Sequence, residues 1–194
     1  MKYRFFKSID GLFESKLKYK ELKHEELSDS KKILFKRVSI LGKGNSISSL
    51  PYCKKSNLVN LKINSKINFT KNNKLIIVSG NTEVYKIHNY LINKKFFFPS
   101  FPSYPDATIG ACIANCTHGI SPRFGVIKDF IEEITLYNPN FGTKILSKKK
   151  NKKLFELTFG GMGLTGLILA AKLKVFKLKS SFIIIKKKKE VRQY

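Results

Sequence analysis

Short apolar runs separated by polar turns alternate along the first half of the chain. Residues 34–41 and the stretches "NLVNLKI" and "KLIIVSG" are rich in β-branched and apolar residues, which is typical of strands. Between the last two, "INFTKNN" predicts an edge strand or a hairpin. In "TEVYKIHNYLINKK", the apolar residues Val84, Ile87, Tyr90 and Leu91 have the spacing of an amphipathic helix. These elements predict an α/β lobe over about residues 25–98.

The middle of the chain breaks this pattern, and short apolar runs then return. Four prolines between residues 96 and 125 exclude regular helix over most of that segment, while the small residues of "TIGACIAN" allow close backbone approach. The later runs "DFIEEITLYNP", "TKILS", "LFELTFG" and "GLILAAKLKVF" predict an antiparallel sheet in a second lobe, about residues 105–185. The fold class predicted is α+β, with one domain over residues 1–194 and a short helix in "HEELSDSKK" ending near Ser28.

The formal net charge of +25 raises the question of an anionic partner. Lysine is abundant throughout the chain alongside Asn and Ile, which a compositional bias also produces, and no nucleic-acid-binding motif is present. The dense runs "KKKNKK" and "KKKK" are typical of a solvated loop and a tail. We therefore expect no nucleic-acid partner, although a basic nucleic-acid-binding module stays as a third alternative. The positive field could instead favour a polyanionic small molecule.

Cysteine content and hydropathy indicate a cytoplasmic location. The chain has three cysteines, no sustained apolar segment near its start and no apolar run of the ~20 residues that span a bilayer, so reduced thiols and no transmembrane segment are expected. Cys112, Cys116 and His118 have spacings that a zinc ion could use. A structural zinc site needs four ligands, usually in two close pairs, and the sequence has no second pair. Small buried cysteines are the simpler interpretation, and no metal is predicted.

The stretch "FGGMGLTGLILAAKLKV" contains G-x-G-x-x-G, the dinucleotide fingerprint of Rossmann folds. That fingerprint needs a strand before it, here 154–159, a helix after it, here 167–175, and an acidic residue ~20 positions on. The acidic residue in the corresponding region is Glu190, which follows four lysines, and few residues follow it, so the Rossmann interpretation fails.

Two further segments, 42–49 and 108–119, are also rich in glycine or small residues and adjoin predicted strands. A pyrophosphate binds where several backbone N–H groups converge without bulky side chains, and "GKGNS" offers these together with the Ser46 and Ser48 hydroxyls and the Lys43 charge. Taken alone, this loop could equally be a tight turn with capping serines.

The order and wording of these segments resemble the FAD-binding PCMH-type domain of the vanillyl-alcohol-oxidase superfamily, over about residues 30–178. The phosphate loop G-x-G-x-S is matched by Gly42 to Ser46. The stretch "IGACIANCTHG" is similar to that family's second glycine motif, and "LFELTFGGMGLTGLI" to its last one. The resemblance implies two lobes with FAD between them, the adenine end in the first lobe, the pyrophosphate on residues 42–48 and the flavin ring near residues 108–119. Asn45 and Ser46 stand where some members carry a flavin-attaching histidine, which implies noncovalent FAD.

The resemblance also implies a set of residues around the cofactor. His118 is the candidate catalytic residue: it could orient or deprotonate a substrate hydroxyl, or it could hold the "THG" turn by hydrogen bonds to the backbone, and both roles stay open. The cofactor-binding residues implied are Gly42, Lys43, Gly44, Asn45, Ser46, Ile47, Ser48, Ser103, Thr108, Ile109, Gly110, Ala111, Asn115, His118, Gly119 and Ile168.

Within the superfamily, the "HG" and "GGMGLTGLI" motifs resemble aldonolactone oxidases and, more closely, the decaprenylphosphoryl-ribose oxidase group. The implied activity is that of an FAD-linked oxidoreductase, oxidising a hydroxyl of a sugar, sugar lactone or polyprenyl-phospho-sugar by hydride transfer to flavin. Members of the family carry a further substrate or cap domain, which we expect to be absent from these 194 residues. The alternative is therefore a noncatalytic flavin-binding subunit that works with a separate cap-domain protein.

Overall fold

A computed structural model describes residues 2–8, 11–27, 38–45, 52, 56–119 and 123–180. The fold class is α+β, as predicted: most elements are strands, and the helices are short. Over these ranges, no helix is both long enough and apolar enough to cross a bilayer.

The first sheet is formed by the N-terminal part of the chain. Within the described ranges it has four strands in the order β1-β2-β4-β3, with β2 and β3 parallel to β4 and β1 antiparallel to β2. The central strand β4 buries Leu58 and Val59 completely, which fits its position between two neighbours. The strands are β1 (Lys2–Lys7), β2 (Glu14–Leu22), β3 (Val38–Leu41) and β4 (Asn57–Leu61).

The second sheet is antiparallel throughout. Its described strands follow the order β5-β6-β10-β8-β9, and a separate short pair joins β7 to β11. These strands are β5 (Ile67–Phe69), β6 (Leu75–Ser79), β7 (Phe96–Phe97), β8 (Ile131–Asn138), β9 (Gly142–Ser147), β10 (Leu167–Lys174) and β11 (Phe176–Lys177).

Three described α-helices accompany the sheets: α1 (Val84–Asn93), α2 (Ile109–Ala114) and α3 (Lys152–Thr158). Helix α1 forms where the apolar spacing predicts it, and its buried stripe of Val84, Ile87 and Leu91 joins the main core over the second sheet. Two 3-10 helices are present in the described ranges, at His24–Glu26 and Ile127–Phe130.

A smaller core joins the two sheets. Leu22 and Val59 of the first sheet pack with Tyr137 and Leu167 of the second, and all four side chains are buried. The Tyr137 hydroxyl donates a 2.6 Å hydrogen bond to the Leu27 carbonyl oxygen, so its polar end is satisfied inside this apolar contact. The two sheets are therefore packed through a continuous buried contact.

Several elements differ from the sequence prediction. The run 154–159, predicted as a strand, lies largely in helix α3. Residues 167–174 form strand β10, as the prediction of an antiparallel sheet requires and unlike the helix that a Rossmann fold would need. The division into lobes also differs, because β5, β6 and α1 belong with the second sheet although the sequence grouped them with the first. The N-terminal hairpin of β1 and β2 has no counterpart in the prediction. The helix predicted near Ser28 is a 3-10 turn at His24–Glu26, and residues 28–37 lie outside the described residues.

Candidate functional site

The loop after β3 is held by hydrogen bonds from two side chains, those of Asn60 in β4 and of Tyr52 before β4. The Asn60 amide nitrogen donates hydrogen bonds of 2.8 Å to the Leu41 carbonyl oxygen and 2.6 Å to that of Gly42. The Tyr52 hydroxyl donates to the Gly44 carbonyl oxygen at 3.2 Å. Gly44 has φ +80°, a left-handed conformation that L side chains rarely adopt. Because these carbonyl groups are held by Asn60 and Tyr52, the path of the loop is fixed before any ligand binds.

The second small-residue segment packs directly against this loop. A Cβ atom added at Gly42 would lie 3.0 Å from Thr108 Oγ1 and 3.1 Å from Ala111 Cβ, so a larger residue there would push the two segments apart. Thr108 caps helix α2, since its hydroxyl oxygen accepts a 3.3 Å hydrogen bond from the Ala111 N–H. The structure thus brings the predicted phosphate loop and the "TIGACIAN" segment together.

The start of β10 approaches the same region through backbone contacts. The Gly110 N–H donates to the Gly80 carbonyl oxygen at 2.8 Å, and the Gly80 N–H donates to that of Leu169, also at 2.8 Å. The Ile168 carbonyl oxygen lies where a side chain on Gly80 would be. The Ile168 side chain itself is buried in the main core and does not line the cleft, so its contact with the cofactor stays a prediction.

A buried carboxylate lies beside the loop. Glu83, at the start of α1, has a side chain only 10% exposed, and its two oxygens accept from Lys43 Nζ at 2.7 Å and Lys86 Nζ at 2.8 Å. Burial raises the pKa of this carboxyl, but the hydrogen bonds from Lys43 and Lys86 outweigh that effect and lower its pKa to about 2. Glu83 is not predicted from the sequence, because a single acidic residue before an amphipathic helix has no distinctive spacing.

These elements surround a cleft of about 590 Å³. One wall is the N-terminal hairpin, where the Arg4 guanidinium lies over the rings of Phe6 and Tyr19 at 5.7 and 5.6 Å from their centroids. Five cationic side chains and two carboxylates line the cleft, which gives it an excess of positive charge suited to an anionic ligand. The cationic residues are Arg4, Lys7, Lys43, Lys62 and Lys86, and the carboxylates are Glu21 and Glu83.

An unused hydrogen-bond acceptor also faces this region. The Asn81 side chain lines the cleft and donates from its amide nitrogen to the Ile63 carbonyl oxygen at 2.6 Å. Its Oδ1 atom is buried and, among the described residues, accepts no hydrogen bond. Because a buried acceptor without a donor is costly, this atom indicates a place where a ligand N–H or O–H group would be accepted.

Not every cofactor-binding residue predicted from the sequence lines the cleft. Gly42, Lys43, Gly44 and Thr108 line it. Ile109, Gly110 and Ala111 lie in α2 behind Thr108, and Asn45 follows the loop glycines. Ser46, Ile47 and Ser48 fall outside the described residues. The remaining five predicted residues do not line the cleft either: Ser103 precedes α2, Asn115, His118 and Gly119 follow it, and Ile168 lies in β10.

His118 is exposed, and its imidazole Nδ1 lies 2.9 Å from the Gly119 carbonyl oxygen. A carbonyl oxygen only accepts, so Nδ1 carries the proton in this hydrogen bond and the Nε2 lone pair of the neutral ring is the acceptor. This is the contact expected of a residue that holds the "THG" turn, and it also leaves Nε2 able to accept a proton. Nearby, burial raises the pKa of the Cys112 thiol to about 11, which makes that group unreactive at neutral pH.

Comparison with known proteins agrees with the flavin assignment. Residues 32–143, more than half of the chain, match the FAD binding domain family. The D-arabinono-1,4-lactone oxidase of Candida glabrata is 29% identical over 169 residues, covering 83% of this chain and 32% of the relative. The enzyme of that name from Saccharomyces cerevisiae is 24% identical, covering 82% and 32%. The mitochondrial L-galactono-1,4-lactone dehydrogenase of Arabidopsis thaliana is 26% identical, covering 68% and 22%. The chain spans a third or less of the length of these relatives.

Proposed function

Because this chain belongs to the FAD binding domain family and FAD is its cofactor, we propose that it forms the flavin-binding part of an aldonolactone oxidoreductase. The substrate proposed is a sugar-derived lactone with an oxidisable hydroxyl, the class named in the relatives. FAD, when bound, supplies the acceptor for the hydride removed from the substrate carbon. The observation that carries this proposal is the packing of the glycine loop, residues 42–44, against Thr108 at the edge of a basic cleft.

The residues present fit the anionic part of this cofactor. The glycine loop has no side chain at Gly42 or Gly44, and Lys43 between them supplies a cation at the cleft. The Asn81 Oδ1 atom, which accepts no hydrogen bond from the described part of the chain, offers an acceptor to an N–H or O–H group of the ligand. We place the pyrophosphate on residues 42–48 and infer noncovalent attachment, because the loop continues as Asn45-Ser46 without a histidine.

His118 is the residue that we propose to act on the substrate. With its Nδ1 proton held by the Gly119 carbonyl oxygen, Nε2 is the nitrogen that could accept the proton of a substrate hydroxyl as the hydride leaves the adjacent carbon. The exposed position of the ring leaves it accessible to a substrate.

Replacing Gly44 by valine tests the loop assignment. A β-branched residue at φ +80°, next to the Tyr52 hydroxyl, should distort the loop and abolish copurified flavin while the rest of the fold is retained. Gly142→Val is the matched control, because Gly142, the first residue of β9, has a similar φ of +73° but open space around it. The ratio of flavin absorbance to protein absorbance gives the flavin content, and circular dichroism monitors the fold. Full flavin content in folded Gly44→Val protein would overturn the assignment.

A further inference from the structure

The backbone on both sides of Glu83 is hydrogen-bonded to the segment that leads into α2. The Val84 N–H donates to the Ala107 carbonyl oxygen and the Ile109 N–H donates to that of Thr82, each at 2.9 Å. Glu83 and Thr108 therefore form a bridge between the start of α1 and the start of α2. A carboxylate attached to backbone fixed in this way, with a side chain that is nine-tenths buried, has little freedom to move.

The two lysines bound to this carboxylate come from different elements. Lys43 belongs to the glycine loop and Lys86 to the first turn of α1, and each takes one oxygen of Glu83. Their side chains are 48% and 43% exposed, and both line the cleft. An ammonium group has three N–H donors, so each lysine retains donors for a ligand after binding Glu83. The carboxylate thus holds two ammonium groups side by side at the edge of the glycine loop.

We propose that Glu83 is a positioning residue that fixes Lys43 and Lys86 as a paired cation site for the pyrophosphate of FAD. This proposal rests on the proposed function, specifically on the pyrophosphate lying at the glycine loop. A pyrophosphate carries two adjacent anionic groups, and the two ammonium groups held on the two oxygens of Glu83 can each pair with one of them. Neither lysine needs to lose further side-chain freedom when the ligand binds, because Glu83 already restrains both.

Positioning and simple electrostatics predict opposite results when Glu83 is neutralised. Removing a negative charge next to an anion site should strengthen anion binding if only the net charge matters. Removing the restraint should weaken it, because two flexible lysine side chains must then be ordered by the ligand. The lysine ammonium groups are half-exposed, so water and salt screen their charges and weaken the electrostatic effect. The entropic cost of ordering the lysine side chains does not depend on this screening. We therefore expect the loss of positioning to dominate.

The test is titration of the flavin-free protein with FAD, followed by flavin fluorescence. Glu83→Gln, which keeps the shape of the side chain, should weaken FAD binding about fivefold, and Lys43→Gln and Lys86→Gln about three- to tenfold each. Lys74→Gln removes the same charge at an exposed position outside the cleft and should change the affinity less than about twofold. With both Lys43 and Lys86 already replaced by glutamine, the Glu83→Gln change should no longer weaken binding, which a merely destabilising effect would not show.

The outcomes separate this proposal from the proposed function. Tighter or unchanged FAD binding by folded Glu83→Gln protein would overturn the positioning role. Unchanged affinity in both lysine variants would overturn the cation site, while leaving the FAD assignment intact if Gly44→Val still loses flavin. A wild-type protein without FAD affinity would instead remove the proposed function. Urea unfolding verifies that each variant is folded, and if Glu83→Gln fails to fold, an unchanged affinity in Lys86→Gln protein decides against the proposal.

Discussion

At the scale of single residues, Glu83 couples folding to pH. Its pKa lies near 2 in the folded protein, below the ordinary value of 4.5, because the hydrogen bonds from Lys43 and Lys86 favour the charged form more than burial opposes it. A lowered folded-state pKa means that the stabilisation is complete above pH 4.5 and is lost as the pH falls towards 2. The other charged groups lining the cleft with Glu83 are Arg4, Lys7, Lys62 and Glu21.

We expect Glu83→Gln to lower the free energy of unfolding by about 1–2 kcal/mol at neutral pH, since the half-exposed lysine ends reduce the full effect of the pKa shift. Urea unfolding of both proteins across the acidic range gives the measurement. The difference between wild type and variant should shrink steadily between pH 5 and pH 2, approximately the window set by the two pKa values. A difference that does not depend on pH would show that Glu83 acts through packing rather than charge.

At the scale of elements, the glycine segment after α3 connects the two sheets. Gly163 has φ +83°, and a Cβ atom there would lie 3.3 Å from Ile40 Cβ on β3. The segment therefore reaches the first sheet from the second, and a side chain at this position would disturb both the turn and the contact. This close approach accounts for part of the "GGMGLTG" pattern that resembles a dinucleotide fingerprint.

We expect Gly163→Ala to cost about 2–3 kcal/mol, of which about 1–2 kcal/mol is strain from the positive φ and the rest is crowding against Ile40. Gly142→Ala separates the two contributions, because Gly142 has φ +73° and nothing within 4 Å of the added Cβ atom. Thermal or urea unfolding of both variants provides the comparison. Equal losses in the two variants would mean that the contact with β3 contributes nothing to stability.

Local sequence patterns predict some of these helices and strands correctly and others wrongly. Helix α1 was predicted from its apolar spacing and is confirmed, as is the hairpin of β5 and β6. Helix α3 was predicted as a strand, because "LFELTFG" is one of several short apolar runs separated by turns. In the structure Phe155 and Thr158 are buried while Leu157 is 55% exposed, which is the spacing of one helix face. In so short a segment, tertiary burial rather than the local apolar run decides the outcome.

At the scale of the whole molecule, the sequence predicted the α+β class, the FAD cofactor and the glycine loop, because these depend on local motifs. It did not predict the supports of the site. Asn60, Tyr52 and Glu83 reach the loop at residues 42–44 from positions up to about 40 residues away, and no spacing rule connects them. It also misjudged the division between the sheets, because pairing β6 with β10 joins segments about 90 residues apart. Local motifs thus identified the cofactor, whereas contacts between distant parts of the chain determine the geometry of the site.

The most direct test of the account is the visible spectrum of the purified protein, recorded before and after acid precipitation. We predict a yellow protein whose acid supernatant contains FAD in an amount equimolar with the chain, since the phosphate loop holds FAD without a covalent bond. Flavin that stays with the precipitate would contradict noncovalent attachment. A folded, colourless protein that also fails to take up added FAD would show that this chain does not bind FAD.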